Sequence, residues 1–186
     1  QKASLKPPVG PTDGPYFVCI VGLEAQKNFE QAIKAFAVHA KKNSTDQLLL
    51  IGDGALKDKL SQLAEGIGIS ARVHFTGYLS NPLPVLSAAK ALILPSLFEG
   101  CPNVAMEAVV LGIPILLSDI PAHRAVFEKD QAEFFPLHDV DACASAMHRV
   151  QSDRNGQSQR VESLIANWSA KTNGRQYFDL LTQIAQ

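Results

Sequence analysis

Residues 91–119 read ALILPSLFEGCPNVAMEAVVLGIPILLSD, and the reading of this stretch decides the fold. Residues 91–94 and 113–117 are short apolar runs without a charge, the pattern of strands buried on both faces of a parallel sheet. Between them, Pro102 and Asn103 mark a helix start with Asn103 as N-cap, and Gly112 supplies a left-handed residue after the last turn. A helix over 104–111 is therefore predicted, its first-turn N–H groups facing the loop 97–101.

That arrangement limits what the loop can hold. A helix N-terminus beside Gly100 is an anion cradle, since unpaired amides and the positive end of the macrodipole converge on one spot. A diphosphate suits it. Glu99 and Glu107 would repel phosphate, so their place there is as acceptors for something neutral, and sugar hydroxyls fit. One carboxylate on each side of the anion describes a nucleoside-diphosphate sugar, with ribose on one side and hexose on the other. Spacing alone equally allows Glu107 to be a solvated carboxylate favoured by the dipole and Glu99 an ordinary loop residue.

The segment PSLFEGCPNVAMEA, residues 95–108, closely resembles the Glu-x7-Glu signature of family 4 glycosyltransferases, and LGIPILLSDIPAHR, residues 111–124, continues the likeness. Upstream, QKNFEQAIKAF (26–36) and LLLIGDGALKDKL (48–60) match two further blocks of that family in the same order. The resemblance implies an α/β fold, a Rossmann-like three-layer domain with a parallel sheet that forms the C-terminal, donor-binding half of a GT-B glycosyltransferase. It implies retaining, metal-independent transfer from a nucleotide sugar, UDP-sugar favoured over GDP-sugar, with no cofactor. The acceptor, a glycan or lipid-linked saccharide, would be held by an N-terminal domain, and peripheral membrane association of the full-length protein is compatible with this.

Composition agrees with a single domain. The chain has 186 residues, 46% hydrophobic, with a formal net charge of −1, enough to bury a sizeable core. Basic residues are scattered and aromatics are 7%, so nothing points to nucleic acid. No apolar run approaches a membrane span and no signal peptide is visible. Three widely spaced cysteines, Cys19, Cys101 and Cys143, suit reduced thiols in the cytoplasm. The five histidines, His39, His74, His123, His138 and His148, are isolated and read as surface or capping residues rather than metal ligands. Residues 1–15 are rich in proline and glycine, which is linker composition. Given the resemblance, we read them as the remnant of an interdomain linker, with residues 16–186 as the donor domain.

The remaining elements follow the same alternation. Strands are predicted over 16–21, 47–51, 72–75 and 133–135, and helices over 29–40, 82–88 and 121–127, with a further helix ending at Val150 capped by Asp139 or Asp141. Two last helices are predicted over 158–167 and 169–184, the second with an apolar face near Trp168, Tyr177 and Leu181. Lys27 at the start of the first helix opposes the helix dipole and so wants an anion nearby; the family places a lysine there against the diphosphate. Gly22 falls where the family usually has an arginine, which leaves half of that phosphate clamp in question. Gly52-Asp53-Gly54 is either a donor contact at Gly52 or merely a tight strand-to-helix turn, and lacks the third glycine of a dinucleotide fingerprint. That absence disfavours a hydride-transfer enzyme. The family would set Tyr78 and Leu83 at the edge of the base, though Tyr78 also reads as a partly buried turn residue.

The expected donor site thus comprises Gly22, Lys27, Gly52, Tyr78, Leu83, Glu99, Gly100, Cys101, Pro102, Asn103, Val104 and Glu107. Glu99 and Lys27 carry the chemistry. The competing expectation is a non-catalytic nucleotide-sugar-binding or assembly module, favoured by Gly22 and disfavoured by the two intact glutamates.

Overall fold

The structure, a computed structural model, describes residues 14–150 apart from 21, 43 and 44. The helices predicted over 158–167 and 169–184, and most of the linker-like start, lie outside the described residues. Six strands alternate with six helices: β1 Tyr16–Ile20, α1 Phe29–Ala40, β2 Gln47–Ile51, α2 Lys57–Gly66, β3 Val73–Gly77, α3 Leu83–Ser87, β4 Ala91–Leu94, α4 Asn103–Val110, β5 Ile115–Ser118, α5 Pro121–Arg124, β6 Glu133–Phe135 and α6 Val140–Arg149. All strand pairings are parallel, in the order β3-β2-β1-β4-β5-β6.

The apolar runs explain the layering. Along β4, Ala91 and Ile93 join one core with Phe17, Leu48, Leu50 and Leu116, packed against α1, α2 and α6. Leu92 and Leu94 join the other with Val18, Leu49 and Leu117, packed against α3 and α4. A strand with no polar alternation is therefore what a sheet covered on both faces requires. In this strand order the chain runs outward from β1 in one direction through β3, then crosses back to lay β4 on the other side of β1. The gap between the carboxyl ends of β1 and β4 is a topological switch point, where ligands of such sheets bind.

Several boundaries differ from expectation for local reasons. Strand β5 begins at Ile115 rather than 113, because Pro114 has no N–H for the ladder and enters it through its carbonyl, which accepts from the Leu92 N–H at 2.9 Å. Strand β3 begins after Arg72, whose guanidinium is held by the carbonyls of Asp46 and Ala40. Helix α4 starts one residue early, with Pro102 rather than Asn103 at the N-cap; Gly112 has the expected positive φ of 71°. Asp139, not Asp141, caps α6 by accepting from the Ala142 N–H at 2.8 Å.

Two histidines expected at the surface are core residues: His39 is 1% exposed and His123 0%. His39 Nε2 lies 2.6 Å from the Asp46 carboxylate, and its ring packs edge-on against Phe17. Burial holds both imidazoles below the ordinary histidine value.

Candidate functional site

The β1 and β4 loops meet across the switch point. After β1 the chain makes a 3₁₀ turn, Ala25–Lys27, and Asn28 takes a left-handed conformation (φ 50°) before α1 begins. That turn aims Lys27 at the loop after β4. Its ammonium donates to both oxygens of Glu99, at 2.8 and 2.9 Å, and the side chains are only 12% and 8% exposed. The two loops are also tied through the backbone, Leu97 N–H to the Gln26 carbonyl at 2.8 Å. Lys27 and Glu99 were expected to address different parts of a ligand; here they bind each other. Glu99 further accepts from the Ser96 hydroxyl at 2.6 Å.

A cavity of about 280 Å³ opens beside this pair, lined by Lys27, Leu94, Glu99, Cys101, Pro102, Asn103, Val104 and Glu107. Lys27 is the one cation among its lining residues, against two carboxylates. The first turn of α4 offers it fewer amides than expected. With Pro102 at the N-cap the turn tightens, so the Asn103 N–H bonds the Cys101 carbonyl at 3.0 Å and the Ala105 N–H the Pro102 carbonyl at 3.0 Å. Among the described residues, the Val104 N–H is the one in that turn left without a backbone acceptor. The Asn103 side chain makes no capping bond; it accepts from the Cys101 thiol at 3.0 Å. Burial, and secondarily the charge of Glu99, push that exposed thiol's pKa up, so Cys101 is a weak hydrogen-bond donor here rather than a nucleophile. Gly100 lies outside the lining, and a Cβ there would meet open space.

A second cavity, about 390 Å³, lies over the ends of β1, β2 and β3, lined by Ile20, Gly22, Ile51, Gly52, Asp53, Tyr78, Leu79, Ser80 and Pro82. The β1 loop serves both cavities, Gly22 lining this one and Lys27 the other. Tyr78 is 77% exposed, which corrects the reading of it as a partly buried turn residue. Leu83 does not line the cavity; it packs against the core, and Leu79 and Pro82 hold the place expected for it. The turn after β2 shows why it carries two glycines: Gly52 has φ 136°, and a Cβ on Gly54 would stand 2.6 Å from the Leu23 carbonyl. At Gly22 the nearest atoms to a Cβ are 3.7 Å away.

Sequence reasoning missed Ser96, Ser118 and His123, which line up behind Glu99. Ser96 lies within the segment 95–108 and Ser118 and His123 within 111–124 that carry the family resemblance, but no spacing in the sequence joins the three. Among the described residues there is no cluster of three or more side chains suited to a metal ion, and no helix long and apolar enough to cross a membrane.

Comparison with known proteins gives the family and the fold. The chain is 24% identical over 176 residues to the lipopolysaccharide core biosynthesis glycosyltransferase LpsE of Rhizobium meliloti, covering 92% of this chain and 51% of LpsE. It is 27% identical over 158 residues to the UDP-Gal:α-D-GlcNAc-diphosphoundecaprenol α-1,3-galactosyltransferase of Escherichia coli, covering 81% and 41%. The chain thus spans about half or less of the length of these relatives. In fold it is similar to a TarM variant of S. aureus in complex with fondaparinux, α-GlcNAc-glycerol and UDP, with a TM-score of 0.78 at 18% identity over 91% of this chain and 36% of TarM. The profile of the family "Glycosyl transferases group 1" matches residues 1–167, and the chain belongs to that family.

Proposed function

We propose that this chain is the donor domain of a hexosyltransferase, binding a nucleoside-diphosphate sugar in the crevice between the β1 and β4 loops. The observation that carries the proposal is the convergence, at the switch point, of Lys27, Glu99, Glu107 and the Val104 amide on one cavity. In this reading the diphosphate draws the Lys27 ammonium from Glu99 and takes the Val104 N–H, supported by the α4 dipole. Glu107 holds the ribose hydroxyls. Glu99 orients the hexose and opposes positive charge that develops at the anomeric carbon as the diphosphate leaves. The base lies over Tyr78 in the second cavity.

UDP is the favoured nucleotide, supported by the UDP-Gal donor of the E. coli relative and by the UDP in the TarM complex. Retention of anomeric configuration and independence of metal are carried by the resemblance of residues 95–108. A saccharide or lipid-linked acceptor is proposed by analogy with relatives that build lipopolysaccharide and lipid-linked sugars. Its site is assigned to a domain in the part of those relatives that this chain does not span. This chain alone is then expected to bind donor but transfer no sugar, because transfer needs both substrates held in line. Gly22 favours one other reading, a nucleotide-sugar-binding module without transfer chemistry. Titrating UDP, GDP and ADP and their sugars into the chain, with melting temperature as readout, tests the assignment. Stabilisation by one nucleotide and its sugar is expected; none by any of them would contradict it.

A further inference from the structure

Behind Glu99 runs a line of hydrogen bonds that the donor reading leaves unexplained. Ser96 is 0% exposed, and its hydroxyl donates to Glu99 Oε1 at 2.6 Å. Ser118, the last residue of β5 and also 0% exposed, donates its hydroxyl to the Ser96 carbonyl at 2.6 Å. His123 Nδ1 lies 2.8 Å from the Ser118 carbonyl and 3.4 Å from its hydroxyl oxygen. A carbonyl can only accept, so Nδ1 carries the proton. Every donor in the line therefore points toward Glu99, where Lys27 closes from the cavity side.

This placement is costly for a core. Ser118 ends β5 and Ser96 follows β4 by two residues; the other residues of both strands are all buried and apolar, and a buried hydroxyl destabilises unless it is bonded. His123 Nε2 is buried without any hydrogen-bond partner, a further cost that an apolar side chain would avoid. Within the line, the group that faces the cavity is the Glu99 carboxylate. Glu99 itself rides on a loop tied by Leu97 and Lys27 but open around it: Phe98 is 61% exposed, and Gly100 and Cys101 are exposed.

We propose that Ser96, Ser118 and His123 are positioning residues that set the Glu99 carboxylate for the hexose of the donor. The proposal rests on the donor-site reading above. None of the three touches the ligand. They act by fixing the carboxylate's direction, the aligned donors polarising one another in a buried setting, so that little ordering remains to be done when sugar hydroxyls arrive.

The test uses the full chain with Ser118→Ala, Ser118→Thr, His123→Asn and His123→Leu, titrated calorimetrically with UDP and with UDP-galactose. Amide hydrogen exchange at residues 97–101 is followed without ligand. In Ser118→Ala and His123→Leu, UDP affinity is expected to stay within about twofold while UDP-galactose weakens about tenfold, and exchange at 97–101 to quicken. Thr keeps the hydroxyl and Asn keeps a donor near the place of Nδ1, so both should restore the preference for the sugar-bearing ligand. If Ser118→Ala does not fold, Ser96→Ala, on the loop, serves instead. Equal weakening of both ligands would mark a purely structural role and overturn the proposal, as would unchanged exchange at 97–101. Should the natural chain bind neither ligand, the titrations are repeated with whichever of GDP, ADP and their sugars stabilises it; if none does, the donor-site reading falls, and the exchange measurement alone decides on the line of hydrogen bonds.

Discussion

Two lysine–carboxylate pairs of equal length stand at opposite edges of the sheet, Lys27–Glu99 at the carboxyl ends of the strands and Lys90–Asp46 at the amino ends, each at 2.8 Å. Asp46 also receives His39 Nε2 at 2.6 Å, and its carbonyl is gripped by Arg72. The rings of Phe17 and Phe36 pack against the same histidine, and neither described cavity touches the cluster. The protein itself takes up the bonding capacity of that carboxylate, while Lys90 keeps 26% of its side chain exposed. At the other edge the same ion pair borders a cavity, beside a helix amide with no backbone acceptor. A charged pair closed in by protein ties loops together, whereas one left open on a cavity is available for exchange with a ligand.

The largest effect that would sharpen this contrast is expected at the closed pair. Asp46→Ala removes the carboxylate that Lys90 and His39 share and should cost about 3 kcal/mol of stability, the low end for breaking a buried pair because Lys90 reaches solvent. Urea denaturation measures it, and nucleotide affinity should be unmoved. At the open pair the expectation is reversed. Glu107→Ala should weaken UDP and UDP-sugar alike by about 1.5–3 kcal/mol, since both carry ribose, while Glu99→Ala should spare UDP and weaken the sugar-bearing donor. Calorimetry on both variants, with melting curves close to the natural chain's, checks this; equal losses for both ligands in both variants would undo the division of roles.

A smaller gain is expected from Gly22→Arg. A Cβ there meets nothing closer than 3.7 Å, so a side chain can leave the backbone without a clash; with its guanidinium on the diphosphate beside Lys27, UDP should tighten by about 1–2 kcal/mol. Binding should also become more sensitive to salt. Unchanged affinity in a stable variant would mean that Gly22 does not face the phosphates.

The smallest expected effect is in pH. Burial sets the folded pKa of His123 below the ordinary 6.5, with the bond to the Ser118 carbonyl and then Glu99 opposing this and Lys27 adding to it. Below pH 6.5 the unfolded chain then binds the proton that the folded chain refuses. Stability should therefore fall as the pH drops from 6.5, and His123→Asn should flatten part of that fall. Thermal melts from pH 7.5 to 5 give the comparison.

These outcomes also bear on how much the sequence disclosed. The four-residue run of β4 and the twelve residues of α1 match expectation residue for residue, because burial on both faces and a 3.6-residue stripe are local patterns. Strand β5 slipped by two residues because Pro114 was counted for its apolar character and not for its missing N–H. Lys27 and Glu99 were both picked out, but their bond spans 72 positions and depends on strand order, which no local pattern carries. His123 was invisible for the opposite reason. A histidine between Ala122 and Arg124 in a short predicted helix gives no sign of which face of that helix turns inward behind the β4 loop.

Amide chemical-shift mapping by NMR during a UDP titration tests the central claim most directly. The open edge should respond: shifts are expected to move together at Lys27, Glu99, Val104, Glu107 and Tyr78, while His39, Asp46, Arg72 and Lys90 stay still. Saturable shifts confined to the amino edge, or none with millimolar UDP, GDP or ADP, would contradict the assignment of a donor site to the switch point.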